Sequence, residues 1–271
     1  MIKADYHTHS HFSTDSEEKT ENIIKAAYDK GLTSICLTDH MDLDFPNDNT
    51  LFVFNPDEYF KEHEEIRRNN KLPIKFLSGI EIGLQPYEDT LRKTNELINK
   101  YPFDFVIGST HIIDSLDPFD HIFWENRSKN ESLRRYFETI YENIKLYNNY
   151  DVLGHIDYCI RYVPDDIDTQ DYNHKDFSDI LEVILKKLIY DGKGLEINCS
   201  SIRKGLNITN PKVEVLKMYK DFGGEILTFG SDAHKASDVA NPFKISEAFA
   251  IEAGFKYYAT FEKRQLTMHK I

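Results

Sequence analysis

Short runs of apolar and β-branched residues alternate along the chain with longer stretches in which apolar residues recur three and four positions apart. The runs near 2–8, 33–38, 74–82, 103–110, 151–156, 193–199, 225–231 and 256–260 read as strands. Between them, TENIIKAAYDKG, NPDEYFKEHEEIRRNN, EDTLRKTNELINKY, SLRRYFETIYENIKLYNN, KDFSDILEVILKKLIYDG and NPKVEVLKMYKDFG read as amphipathic helices, several ending at Gly or Asn. This βα rhythm predicts a parallel sheet covered by helices. Seven or eight units in this length suit an α/β fold closed as a distorted (β/α)7 barrel, TIM-like, forming a single domain over 1–271. The long irregular stretches, around 41–55, 112–128 and 157–174, each follow a predicted strand, where a barrel carries its active-site loops.

Composition narrows the class. The chain has 271 residues, 40% hydrophobic and 29% charged, as an ordinary globular protein does. No segment approaches the roughly 20 apolar residues that span a bilayer, so no membrane association is expected. The start, MIKADYHTHS, has neither an apolar leader core nor a small-residue cleavage site. Cys36, Cys159 and Cys199 are odd in number and form no CxxC pair, which argues against a disulfide framework or a thiolate metal site and fits a reducing cytoplasm. A formal net charge of -13 opposes an extended nucleic-acid footprint. Acidic balance does not exclude an anionic substrate, because bound cations would dominate the field inside a pocket.

The chemistry collects at predicted strand ends. His7 and His9 stand at i and i+2, on one face of the first strand and about 6–7 Å apart. An isolated HxH is more often a surface pair, but here it has company. The second strand ends in TDH with His40, the third in GIE with Glu81, the fourth in STH with His111, the fifth in GHID with His155, and the seventh in GSDAH with Asp232 and His234. Six strands thus deliver His, Glu or Asp to one rim, where a barrel brings residues distant in sequence together. With Asp15, these are nine candidate ligands, too many for one ion and enough for two or three. Nitrogen and oxygen donors without thiolate suit Zn, Mn or Fe. Asp15 also has a reading as a cap for the helix starting near Thr20, though five residues is far for that role.

The motifs HTHSHFSTDS, LTDHMD, GIEIGL, FDFVIGSTHII, VLGHIDY, LEINCS and TFGSDAH, in this order over nearly the whole chain, resemble those of the polymerase-and-histidinol-phosphatase (PHP) superfamily, and within it the monofunctional histidinol phosphatases. The resemblance implies a distorted seven-stranded barrel with a trinuclear metal centre. It implies one metal on His7, His9, Glu81 and Asp232, a second on Glu81, His111 and His155, and a third on Asp15, His40 and His234. Relatives commonly carry histidine where Asp15 stands, and aspartate is also an oxygen ligand. The implied reaction is hydrolysis of L-histidinol phosphate in histidine biosynthesis, by attack of a metal-held hydroxide on phosphorus. Asp232 and His234 are the candidates for delivering a proton to the leaving oxygen.

Arg161 and Arg203, just beyond the fifth and sixth strands, are placed to clamp phosphate, Arg161 with a catalytic part. Asp114, Asp117 and Asp120 are candidates for recognising the cationic nitrogens of the substrate. Asp5 and Asp39 are candidates for orienting histidine ligands, and Phe45 and Trp124 for pocket walls. His11, His63, His121, His174 and His269 lack ligand-type placement. The expected partner is a small phosphorylated substrate, with neither nucleic acid nor an obligate protein partner. The alternatives are a PHP phosphoesterase acting on nucleotides or nucleic-acid ends, and a non-catalytic, metal-stabilised interaction module. Nine intact donor positions argue against the module.

Overall fold

The computed structural model describes residues 1–271. Its elements run β1 (Ala4–Asp5), α1 (Thr20–Asp29), β2 (Ser34–Leu37), β3 (His40–Met41), α2 (Pro56–Asn69), β4 (Lys75–Gly83), α3 (Glu88–Lys100), β5 (Phe105–Ser109) and α4 (Lys129–Leu146). There follow β6 (Val152–Leu153), α5 (Ser178–Tyr190), β7 (Gly194–Asn198), α6 (Ser200–Arg203), α7 (Val213–Asp221), β8 (Leu227–Gly230), α8 (Phe243–Glu252), β9 (Tyr257–Glu262) and β10 (Gln265–Lys270). The local signals are chemical. Pro56 opens α2 behind Asn55, whose side chain accepts from the Asp57 amide, and Ser128 with Glu131 forms a reciprocal capping box at α4.

The strands pair in parallel in the order β1-β2-β4-β5-β6-β7-β8, with β3 continuing the line of β2 against β4. Hydrogen bonds from Tyr6 N to Phe229 O (2.9 Å), Asp232 N to His7 O (2.7 Å) and His9 N to Ala233 O (2.8 Å) draw the ring shut between the first and last of these strands. The result is the seven-stranded distorted barrel expected from the βα rhythm. Both faces of its strands are covered, so β4 is buried at every position after Lys75. A satellite cluster of Ile23, Ile24, Ala27, Ile35 and Leu37 lies under α1.

Two departures from the sequence reading have physical causes. The run near 256–260 is not an eighth barrel strand. It lies in β9, which pairs antiparallel with β10 through a turn at Lys263 and Arg264, both at positive φ. Such turns are usually marked by Asn-Gly, and Lys-Arg hides this one. The hairpin closes the floor of the barrel: Asp104 accepts from the Lys263 amide (3.0 Å), Arg264 pairs with Asp151 (2.7 Å), and the Tyr6 hydroxyl donates to Phe261 O (2.7 Å). The second departure is α8, which the periodicity did not mark because its apolar residues are not confined to one face: Phe243 and Ala250 are buried while Ile245 and Ile251 are exposed.

The break between β2 and β3 sets the place of His40. The chain leaves the ladder at Thr38 and Asp39 and rejoins it with His40 directly opposite Glu81. Across the barrel, Gly230 ends β8 where a Cβ would overlap Glu196 and come within 2.5 Å of the His7 Cβ. Gly230→Ala is therefore expected to cost about 1–3 kcal/mol through overpacking, read as a lower midpoint in thermal unfolding. An unchanged midpoint would show that the packing around Gly230 is loose enough to admit a methyl group.

Candidate metal centre

Glu81, fully buried at the end of β4, is the centre of the cluster. Its Oε1 lies 2.9 Å from His155 Nε2 and 3.3 Å from His111 Nε2, and accepts a 2.6 Å hydrogen bond from Ser109. Its Oε2 lies 2.9 Å from His40 Nδ1, 3.1 Å from His7 Nε2 and 3.7 Å from His9 Nε2. Asp232, in the left-handed region (φ 53) just past β8, sets Oδ1 3.4 Å from His9 and 3.7 Å from His234. Asp15 Oδ2 closes the rim, 3.1 Å from His234 Nε2 and 3.8 Å from His40 Nε2. All nine residues singled out in the sequence thus converge on one end of the barrel.

Several donor atoms here are buried with no hydrogen-bond partner: Nε2 of His7, His9 and His234, Nδ1 of His40, and Oε2 of Glu81. Leaving so many polar atoms unsatisfied is costly unless something else satisfies them. The overlapping sets His7–His9–Asp232, His7–Glu81–His155, His40–Glu81–His111 and His9–His40–His234 each hold their donor atoms within 4.8 Å of one another. Two or three divalent cations fit this donor set.

In His7, His111 and His9 the opposite ring nitrogen is occupied, which aims the other at the cluster. His7 Nδ1 faces Glu196 Oε1 at 2.6 Å, and His111 Nδ1 faces Asp42 Oδ2 at 2.7 Å. His9 Nδ1 faces Ser13 Oγ at 3.0 Å, and that hydroxyl donates to Asp39 (2.7 Å). Asp39 thus acts on His9 through Ser13. Asp5 works on the main chain, accepting from the amides of His7, Ser231 and Ala240. Sequence reading passed over Glu196, Asp42, Ser13 and Ser109. The one signal available was that Glu196 also lies on a strand feeding this rim.

The charges are strongly coupled. Burial disfavours the His7 and His40 imidazolium ions, but Glu196 and Glu81 beside His7 hold its pKa well above the ordinary value, and Glu81 with Asp15 raises His40 to about 9. His9 goes the other way. Burial and the charges of His234 and His40, whose rings lie 4.1 and 4.2 Å from its own, push it well below. Burial would raise Glu81, yet His7, His40 and His111 hold it well below the carboxylate range. The carboxylates beside His7, His40 and His111 thus favour positive charge where a cation would bind.

Above the cluster lies a cavity of about 280 Å³ with Arg161, Asp117 and the rings of Phe45, Phe52, Phe119, Tyr158 and Tyr162 in its wall. Arg161 Nη1 contacts Ser200 Oγ (2.5 Å) and Asp232 Oδ2 (3.3 Å), and its buried Nε has no partner. Two expectations need correction. Arg203 is outside this wall: its guanidinium donates to the carbonyls of Ser231 (2.5 Å), Asn241 (2.9 Å) and Asp232 (3.0 Å), bracing the turn that carries Asp232. Trp124 is buried beneath the loop, its Nε1 donating to Pro118 O (2.8 Å). His11, His63, His121, His174 and His269 all lie outside the cluster, His63 buried against Ser78. A larger hollow of about 790 Å³ between α1 and α2 is lined by Glu17, Glu21, Glu62 and Glu65 and contains none of the nine.

A parallel barrel with this donor set at its C-terminal rim is of the metallohydrolase type. The PHP domain family matches residues 5–200, and the chain belongs to that family. It is 34% identical to a protein of Clostridium acetobutylicum named "Probable histidinol-phosphatase", over 96% of this chain and 97% of the relative. It is 33% identical to the "Histidinol-phosphatase" of Lactococcus lactis subsp. lactis, over 100% of this chain and 98% of the relative. The crystal structure of the histidinol phosphate phosphatase from Lactococcus lactis subsp. lactis, complexed with zinc, L-histidinol and phosphate, superposes with a TM-score of 0.86 at 32% identity, covering 98% of each chain.

Because the raised pKa values of His7, His40 and His111 favour protonated rings at neutral pH, binding of Zn or Mn is expected to release protons. Affinity should weaken as pH falls below about 9, where His40 takes up its proton. Titration calorimetry in buffers of differing ionisation enthalpy measures this directly, and binding without proton release would contradict protonated histidines around Glu81.

Proposed function

We propose that the chain is a metal-dependent phosphomonoesterase that hydrolyses L-histidinol phosphate to L-histidinol and phosphate, a step of histidine biosynthesis. What carries this reading is the full-length likeness to a protein crystallised with zinc, L-histidinol and phosphate, joined to a donor cluster opening into a cavity of about 280 Å³. A cavity of that size suits a small substrate rather than a polymer.

In this reading His7, His9, Glu81 and Asp232 hold one ion, Glu81 with His111 and His155 a second, and Asp15 with His40 and His234 a third. The donor distances support each set: His111 and His155 share Glu81 Oε1, and His40 and His234 share Asp15 Oδ2. When bound, the ions supply Lewis acidity that neutralises phosphoryl oxygens and lowers the pKa of water. Arg161 orients the phosphate from the wall, its guanidinium held in place by Ser200 and Asp232. Arg203 acts one step back, by fixing the Asp232 turn.

The proton for the leaving oxygen comes from His234 rather than Asp232. Burial would favour a proton on Asp232, but His9 beside it at 3.4 Å and the charges of His7 and Arg161 hold its pKa well below the usual range, which favours the carboxylate. His234 donates only while free of a cation, so proton delivery and filling of the third set compete. The whole of 1–271 serves as one catalytic unit, since donors from His7 to His234 close a single site. A cytoplasmic setting belongs to the same proposal, supported by three unpaired buried cysteines; no helix is long and apolar enough to cross a membrane.

The test is phosphate release by the metal-loaded protein from L-histidinol phosphate, nucleoside monophosphates, a dinucleotide and p-nitrophenyl phosphate. A kcat/KM for L-histidinol phosphate several orders of magnitude above the rest is expected. Equal or better turnover of nucleotides would overturn the assignment, and no turnover of any ester with Zn, Mn or Fe would favour a binding module. Arg161→Met is expected to lower kcat/KM roughly 100- to 1000-fold on all monoesters alike, as loss of a donor to the phosphoryl group does. Wild-type rates would remove Arg161 from the site.

A further inference from the structure

Arg161 and His7 belong to different parts of the site, the cavity wall and the donor cluster, yet one run of buried side chains joins them. His7 Nδ1 faces Glu196 Oε1 at 2.6 Å, and Glu196 Oε2 accepts from the His155 amide (2.8 Å). Asn198 stands two residues further along β7 and so on the same face, its Nδ2 3.3 and 3.4 Å from the two Glu196 oxygens. Its Oδ1 accepts from the amide of Ser200 (2.9 Å) and from the Ser200 hydroxyl (2.7 Å). Ser200 Oγ in turn accepts from Arg161 Nη1 (2.5 Å). Glu196, Asn198 and Ser200 are at most 3% exposed, so bulk water replaces none of these contacts.

The direction of donors along this run has one solution. A guanidinium only donates, so Ser200 Oγ accepts from Arg161 and gives its single proton to Asn198. The Ser200 main-chain N–H also only donates, which puts Asn198 Oδ1 on that side and its NH2 on the Glu196 side. Glu196 then receives from Asn198 and from His7 Nδ1, and the lone pair of His7 Nε2 is left facing the cluster. The Asn198 main chain is pinned as well, exchanging two 2.9 Å hydrogen bonds with Asn210.

We propose that Asn198 is a positioning residue for both halves of the site: its carbonyl sets the Ser200 hydroxyl that holds Arg161 for the phosphate, and its NH2 fixes the Glu196 carboxylate behind His7. This rests on the phosphomonoesterase reading, in which Arg161 meets the phosphate, and adds the device that keeps clamp and metal donors in register. Without the Ser200 oxygen, Arg161 Nη1 keeps only Asp232 Oδ2, at 3.3 Å. The guanidinium is then drawn toward a metal donor and away from the anion.

The test is calorimetric binding of inorganic phosphate to the protein at saturating manganese. Ser200→Ala and Asn198→Ala are each expected to raise the Kd about 10-fold, near the scale of one hydrogen bond to a charged group. Combined, they should weaken binding little more than either alone, and in an Arg161→Met background Ser200→Ala should change the Kd by less than about 2-fold, because it acts through Arg161. Wild-type affinity in Ser200→Ala, or losses that multiply in the paired variants as independent damage to packing does, would overturn the proposal. Ser200→Cys, which keeps the shape but offers only a weak acceptor, serves the same comparison if the alanine variant does not fold. Asn198→Asp separates the two ends, since it keeps the acceptor for Ser200 and removes the donor to Glu196. It is expected to weaken manganese binding about 10-fold in chelator competition, while Ser200→Ala leaves it within about 2-fold. Equal manganese affinity in these two variants contradicts the double role of Asn198. A wild type that binds no phosphate sinks the reading of Arg161 as the clamp, and the proposal with it.

Discussion

A single carboxylate, Glu81, lies at the bottom of the barrel mouth with five imidazoles within 4 Å of its oxygens and no access to water. An isolated buried charge costs several kcal/mol, and that cost is tolerable only with opposite charge at close range. The surrounding architecture supplies it. Each neighbouring strand ends in a histidine facing Glu81, and β2 leaves its ladder for two residues so that His40 can stand opposite it. Cations, or the protons that stand in for them, are a condition for the site's stability as well as for its chemistry.

The site separates into fixed and selective parts. The fixed part comes from strand ends and is braced from behind by Glu196, Asp42, Asp39 through Ser13, and Arg203 on the Asp232 turn. Those partners set which imidazole nitrogen points inward, so a rigid barrel becomes a rigid donor set. The selective part comes from the loops after β3, β5 and β6, which bring Phe45 and Phe52, Asp117 and Phe119, and Tyr158, Arg161 and Tyr162 to the cavity wall. The division lets one metal centre serve different esters according to its loops.

The barrel was legible because each strand followed by a helix leaves the same periodic mark, and the nine candidate donors because ligand-type residues recur at one end of that mark. What stayed hidden depends on contacts between segments far apart. Glu196 looks like any strand glutamate until His7, 189 positions away, is seen against it. Arg203 follows its strand much as Arg161 does, and only the carbonyls of Ser231, Asp232 and Asn241 distinguish a brace from a clamp. Trp124 sits in a loop sequence yet is a buried anchor, and β10 is concealed by a Lys-Arg turn.

The central claim is that Glu81 bridges cations. Anomalous diffraction from crystals of the zinc- or manganese-loaded protein tests it most directly. The account predicts at least two ions about 3.5–4 Å apart, each bound to a Glu81 oxygen. A single ion that avoids Glu81, or a cluster in which Glu81 is satisfied by imidazolium protons alone under saturating metal, would contradict it.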